Sequence, residues 1–152
     1  TMLDRPVKTP CIGVCSTGIG DRVCRGCKRF AHEVIDWNSY DNLQKTLIDE
    51  RLTDFLSRCV ANKLQVVDPL LLERQLQAQM IDFPRHKDHF CWAYVLLKAG
   101  GGQIDKPLDY GLLIDAEFRN VSLKQLRLII DDEFFILSDA YYERYVDATR
   151  TA

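Results

Sequence analysis

Long hydrophobic runs are missing from this chain of 152 residues. Crossing a bilayer as a helix takes about 18 or more consecutive apolar residues, and none of its runs comes near that, so no membrane partner is expected. A charged-then-apolar leader is also missing; Met2 reads as the natural start, and a cytoplasmic address follows. There is no internal repeat and no low-complexity tract. Histidine is scarce, with three residues, and seven of the eight glycines fall in two stretches, Gly13, Gly18, Gly20 and Gly26 in one and Gly100, Gly101 and Gly102 in the other. With 47% apolar and 28% charged residues the chain is not disordered. Its six cysteines are too few for a disulfide scaffold at this length.

The placement of those cysteines is informative. Cys11, Cys15, Cys24 and Cys27 follow the spacing C-x3-C-x8-C-x2-C, while Cys59 and Cys91 stand apart. Two close pairs joined by a short loop can bring four sulfurs round one centre, and thiolates are soft, strong ligands for zinc and for iron–sulfur clusters. Gly13 and Gly26 lie inside the pairs, where a chain must turn tightly. The segment is polar and poor in core residues, so a metal would supply the missing core. The cofactor expected is one zinc ion or one iron–sulfur cluster, held by Cys11, Cys15, Cys24 and Cys27.

Charge divides the chain. Residues 1–30 carry six basic and two acidic residues, a net of +4, and residues 31–152 carry −6. Arg22, Arg25, Lys28 and Arg29 among the cysteines have two readings. They offset thiolate charge, or they form a nucleic-acid patch with Phe30 and Trp37 as stacking rings. The acidic remainder favours the first.

Periodicity beyond the cysteines is helical. Phe30, Val34 and Trp37 mark one face of a short helix. A long helix over 40–62, capped by Asn38 or Ser39, carries Leu43, Leu47, Ile48, Leu52, Phe55, Leu56, Cys59 and Val60. Asp68-Pro69 opens a helix through Leu72, Leu76 and Met80, and Phe83-Pro84 breaks it. A further helix is expected over 85–99, stopped by the triple glycine. Residues 103–120 read equally as short helix or strand. Ser122-x-x-Gln125 is a capping box for a helix through Leu126, Ile130 and Phe134, with a restart at Ser138. The fold expected is mainly α: a small four-cysteine metal knuckle followed by an irregular helical bundle, divided into residues 1–38 and 39–152.

Other constellations have plainer readings. His86, His89 and Cys91 do not share one helical face. His32 is expected in solvent, Cys59 and Cys91 in the core, and Asp131-Asp132-Glu133 on a solvated face. Gly100-Gly101-Gly102 lacks the lysine of a phosphate loop. No nucleophile or acid–base set stands out, so an enzyme is the weakest class.

The motifs Thr9-Pro10-Cys11-Ile12-Gly13-Val14-Cys15, Cys24-Arg25-Gly26-Cys27-Lys28-Arg29 and Glu33-Val34-Ile35-Asp36-Trp37 together resemble a family of short, uncharacterised bacterial proteins. That family is catalogued as a domain of unknown function and as predicted iron–sulfur proteins of the YdhL type. The resemblance covers about residues 9–56 and implies that the same four cysteines hold the metal. A helical extension follows that many such proteins lack. The leading expectation is a non-enzymatic adaptor or regulatory protein that binds a metal and another protein. The alternatives are an iron–sulfur electron-transfer or redox-sensing protein, and a nucleic-acid-binding zinc module.

Overall fold

The computed structural model describes residues 6–13 and 15–147. Among them are helix α1 (Ala31–Asp36), helix α2 (Asn42–Ala61), strand β1 (Leu64–Val66), helix α3 (Pro69–Ala78), helix α4 (His89–Gly100), strand β2 (Leu112–Ile114) and helix α5 (Leu123–Tyr141). The expected mainly helical class holds. No helix among the described residues is long and apolar enough to cross a membrane. The chain divides into two compact units, Thr1–Phe55 with Glu133–Ala152, and Leu56–Asp132. The boundary expected at residues 38 and 39 falls inside the first unit. Both α2 and α5 run across the division.

In the first unit, α1 is short and its start is fixed by a side chain. Glu33 Oε1 accepts the Phe30 N–H at 2.9 Å. Arg51, on α2, forms a fork on the same carboxylate, at 2.6 and 2.8 Å. Glu33 is buried, so the pair ties α1 to α2 through charge-assisted bonds in a setting with little water. The α2 cap is Asp41, neither Asn38 nor Ser39. Asp41 Oδ1 accepts the Gln44 N–H while Gln44 Oε1 accepts the Asp41 N–H, satisfying two donors reciprocally. Ser39 instead donates back to the Asp36 carbonyl. The core face of α2 is narrower than its apolar stripe. Ile48, Leu52 and Phe55 are buried, but Leu43 and Leu47 are half-exposed.

The second unit is organised by an antiparallel ribbon in which Leu64 pairs with Ile114 and Val66 with Leu112. Neither strand stands out in the sequence, because three residues give too little alternation to read. Leu64 and Leu112 are fully buried, as are Leu72, Leu76 and Leu96 of the same unit. Asp68 caps α3 by accepting the Leu71 N–H at 3.1 Å, with Pro69 in the first turn, as expected. The helix then closes early. Met80 takes a left-handed φ of 56° while the Ile81 N–H returns to the Leu76 carbonyl, which leaves Met80 in solvent and not on the inner face.

Helix α4 begins at His89 and not at residue 85. Asp88 accepts the Phe90 and Cys91 N–H groups, which makes it the cap. The ambiguous stretch 103–120 resolves into strand β2 between two 3₁₀ turns, Pro107–Tyr110 and Ala116–Phe118. Ser122 Oγ accepts the Gln125 N–H at the start of α5, as the motif predicts. The helix runs straight through Ser138 and ends in a π-helical turn, Tyr142–Asp147, with no restart.

Lys63 is the most buried cation of this unit. Its ammonium donates to the Cys59 carbonyl at 2.7 Å and to Asn62 Oδ1 at 2.7 Å, so it closes the C-terminal end of α2 from within.

Gly111 sets the ribbon's approach to α3. Its carbonyl accepts the N–H groups of Val67 and Asp68, its φ is +76°, and an added Cβ would lie 2.3 Å from the Asp68 carbonyl oxygen. Gly111→Ala is therefore expected to destabilise the second unit by about 2 kcal/mol or more, through clash and strain together. The chain has two tryptophans, so Trp92 becomes the sole reporter in a Trp37→Phe background, and urea unfolding followed by its fluorescence measures the loss.

Candidate functional site

The cysteine segment folds as a hairpin with little hydrocarbon inside it. Val23 and Phe30 bridge in antiparallel fashion, the Cys24 N–H donates to the Arg29 carbonyl, and the Ala31 N–H donates to the Arg22 carbonyl. The tip, residues 25–28, turns back sharply: the Lys28 N–H reaches the Cys24 carbonyl at 2.8 Å, and Lys28 holds a left-handed φ of 67°. Such a turn brings the side chains of Cys24 and Cys27 to one side. Both are buried, and the two thiols hydrogen-bond each other.

Their environments differ. Burial pushes the Cys24 thiol up, but the backbone hydrogen bonds from Cys27, Ser16 and Gly26 outweigh it and bring it down to about 7. Burial pushes the Cys27 thiol up as well, and the Arg29 guanidinium, 3.2 Å from its sulfur through Nε, offsets only part of that. The N–H groups aimed at Cys24 would stabilise negative charge on sulfur, whether as a free thiolate or as a metal ligand.

The other pair is placed differently. Cys11 and Cys15 are exposed. Cys11 Sγ accepts the Gly13 N–H at 3.4 Å, with Gly13 at a φ of +88°, so this pair too wraps a backbone donor onto its first sulfur. Cys15 Sγ lies 3.1 Å from Thr17 Oγ1. Ser16 links the two halves: its Oγ accepts the Arg25 N–H at 2.9 Å, and its own backbone hydrogen-bonds the Cys24 thiol. Among the described residues, however, no three of the histidine, cysteine, aspartate and glutamate side chains lie close enough together to hold one ion. The sequence-predicted site is thus a buried pair and an exposed pair, with one residue joining them.

The four cations of the segment are all engaged within the first unit. Arg22 forks onto Asp139 at 2.8 and 3.1 Å and lies over the Tyr142 ring. The Arg25 guanidinium sits 4.3 Å from the Phe135 centroid. Lys28 is buried, donates to the Arg25 and Gly26 carbonyls, and faces Phe134. Arg29 is buried over Trp37. Phe30 packs between Tyr141 and Tyr142, with the Arg51 guanidinium 4.1 Å from its centroid. Sequence reasoning missed these partners because Phe134, Phe135, Asp139 and Tyr142 lie more than a hundred residues away. The FF doublet of α5 and the YY doublet at its end were the available signal, since adjacent aromatics on a helix face different neighbours.

Residues 9–55 match a family described as a protein of unknown function (DUF1289). The match covers about a third of the chain and ends where the first segment of the first unit ends. No curated protein and no solved structure matches the chain.

The remaining candidates stay outside this site. Cys59 and Cys91 are buried. Burial pushes the Cys91 thiol up to about 11, with Ser57 Oγ only 3.4 Å from its sulfur, which makes it a poor nucleophile. The His89 ring lies tilted against Trp92, with centroids 4.6 Å apart. His32 is half-buried beside Phe30, deeper than expected.

Two predictions test how the hairpin is held. Glu33→Gln keeps an acceptor for the Phe30 N–H but leaves the Arg51 charge uncompensated, and is expected to cost about 3 kcal/mol, read from Trp37 fluorescence in a Trp92→Phe background. The Arg22 hydrogen bond holds the Asp139 carboxyl below its ordinary range. Stability from a lowered carboxyl is present above the unfolded-state value and is lost as pH falls through the folded one. Acidification from about pH 5 to about pH 3 should therefore weaken the first unit less in Asp139→Asn than in the parent, in the same fluorescence assay.

Proposed function

We propose that this chain is a metal-binding protein in which Cys11, Cys15, Cys24 and Cys27 hold one zinc ion or one iron–sulfur centre. In this reading it acts without catalysis of its own, as a cytoplasmic adaptor or regulatory protein that binds another protein. The observation that carries the metal reading is the Cys24–Cys27 turn, where two buried thiols meet and backbone N–H groups converge on one sulfur. Donors that stabilise sulfur anions suit a thiolate ligand. The Gly13 N–H on Cys11 repeats the arrangement at the exposed pair, and Ser16 already ties that pair to Cys24. The resemblance of about residues 9–56, which rests on motifs that contain these cysteines, supports the same four ligands.

The basic residues support a local role over phosphate binding. Each of Arg22, Arg25, Lys28 and Arg29 lies on an aromatic ring, and the two most buried would have to be uncovered to reach a nucleic acid.

Element analysis and absorption spectroscopy on anaerobically prepared protein test the proposal. One zinc per colourless chain, or iron with acid-labile sulfide and a visible band, supports it. Cys24→Ser and Cys27→Ser should each abolish metal binding, while Cys59→Ser and Cys91→Ser leave the stoichiometry unchanged. Metal-free parent protein, or metal retained after loss of Cys24 or Cys27, refutes it.

A further inference from the structure

The second unit contains a cavity of about 510 Å³, within the range of about 300–1,000 Å³ usual for small-molecule sites. It includes none of the cysteines: its lining comes from the segment 101–124 alone. The half-buried side chains of Ile104, Leu113 and Phe118 give it an apolar lining. Phe118 is fixed from one side by Lys63, whose ammonium lies 5.8 Å from the ring centroid.

The charged residues of the lining are Asp105, Arg119 and Lys124. Two cations against one carboxylate leave the cavity with a net positive charge of one. Arg119 and Lys124 make no ion pair among the described residues, whereas Arg85 of the same unit holds Glu73 at 3.0 Å. All three charged residues are exposed, so each remains hydrated and free to meet a ligand at the mouth.

We propose that this cavity binds a small amphipathic anion, a monocarboxylate with an unbranched apolar body. The apolar part lies against Ile104, Leu113 and Phe118, and the carboxylate meets Arg119 and Lys124. Hydrocarbon contact supplies most of the affinity, and the cations select the charge. Asp105 disfavours a cationic head group at the same place. This site is independent of the metal reading, and its occupancy does not require the four cysteines.

Isothermal titration of the full chain with decanoate, 1-decanol and decyltrimethylammonium tests the assignment. The expected result is saturable binding of decanoate at one site per chain, with decanol weaker and the cation weakest. The Arg119→Glu, Lys124→Glu double variant should lose about tenfold or more in decanoate affinity, as expected for the removal of charge-assisted contacts. Leu113→Trp should fill the cavity and abolish binding. Both changes leave the buried core untouched, and circular dichroism verifies the fold before titration. Absence of saturable decanoate binding, or equal affinity for all three probes, overturns the proposal. So does decanoate binding that survives both the charge reversal and Leu113→Trp.

Discussion

A cation laid on an aromatic face is the contact on which the cysteine hairpin depends. Between residues 22 and 30 the chain has only Val23 and Phe30 as ordinary core hydrocarbon besides its thiols. Burying arginine and lysine is costly unless their charge meets a carboxylate, a carbonyl or a ring quadrupole. Here all three kinds of partner are used. Arg22 takes Asp139, Lys28 takes two carbonyls at the hairpin tip, and Arg25, Lys28 and Arg29 take rings. Their alkyl stems supply apolar surface as well, which is how a basic segment packs without many leucines.

This arrangement explains why charge compensation and packing need not be treated as rivals. Arg22, Arg25 and Lys28 fasten the hairpin to α5, while Arg29 joins charge compensation to packing. Arg29 does both at once, with Nε on the Cys27 sulfur and its guanidinium over Trp37. A metal bound by the buried pair would sit among groups already fixed by this packing, so less of its binding energy would be consumed in ordering them. Among the described residues, the side-chain contacts of the exposed pair are local: Cys11 meets Gly13 and Cys15 meets Thr17, each two residues away.

What the sequence discloses follows from the range of the interactions involved. Helices with strong local signals were legible, and so were caps that lie immediately before their helices: Asp68 before α3 and Ser122 before α5. The start of α2 lies two residues later than expected, because Asp41 caps it and not Asn38 or Ser39. The ribbon was hidden because its strands are three residues long and owe their pairing to Gly111, whose role depends on a clash with Asp68 that no local pattern records. The cysteine spacing pointed to Cys24 and Cys27 correctly as neighbours, since a two-residue gap allows little else. The partners of the basic residues could not be read, because they sit at the opposite end of the chain. The apolar stripe of α2 overstated its core face, since Leu43 and Leu47 satisfy helical periodicity without being covered.

The division of the chain has a temporal side. The unit 56–132 is continuous, whereas the unit bearing the thiols is assembled from residues 1–55 and 133–152. A ribosome delivers the hairpin before its aromatic receptors. Until Phe134, Phe135 and Tyr142 have cleared the exit tunnel, Arg25, Lys28 and Phe30 have nothing to rest on, and the cysteine turn lacks its cover. Closure of that unit accordingly waits on synthesis of the α5 segment that covers the hairpin.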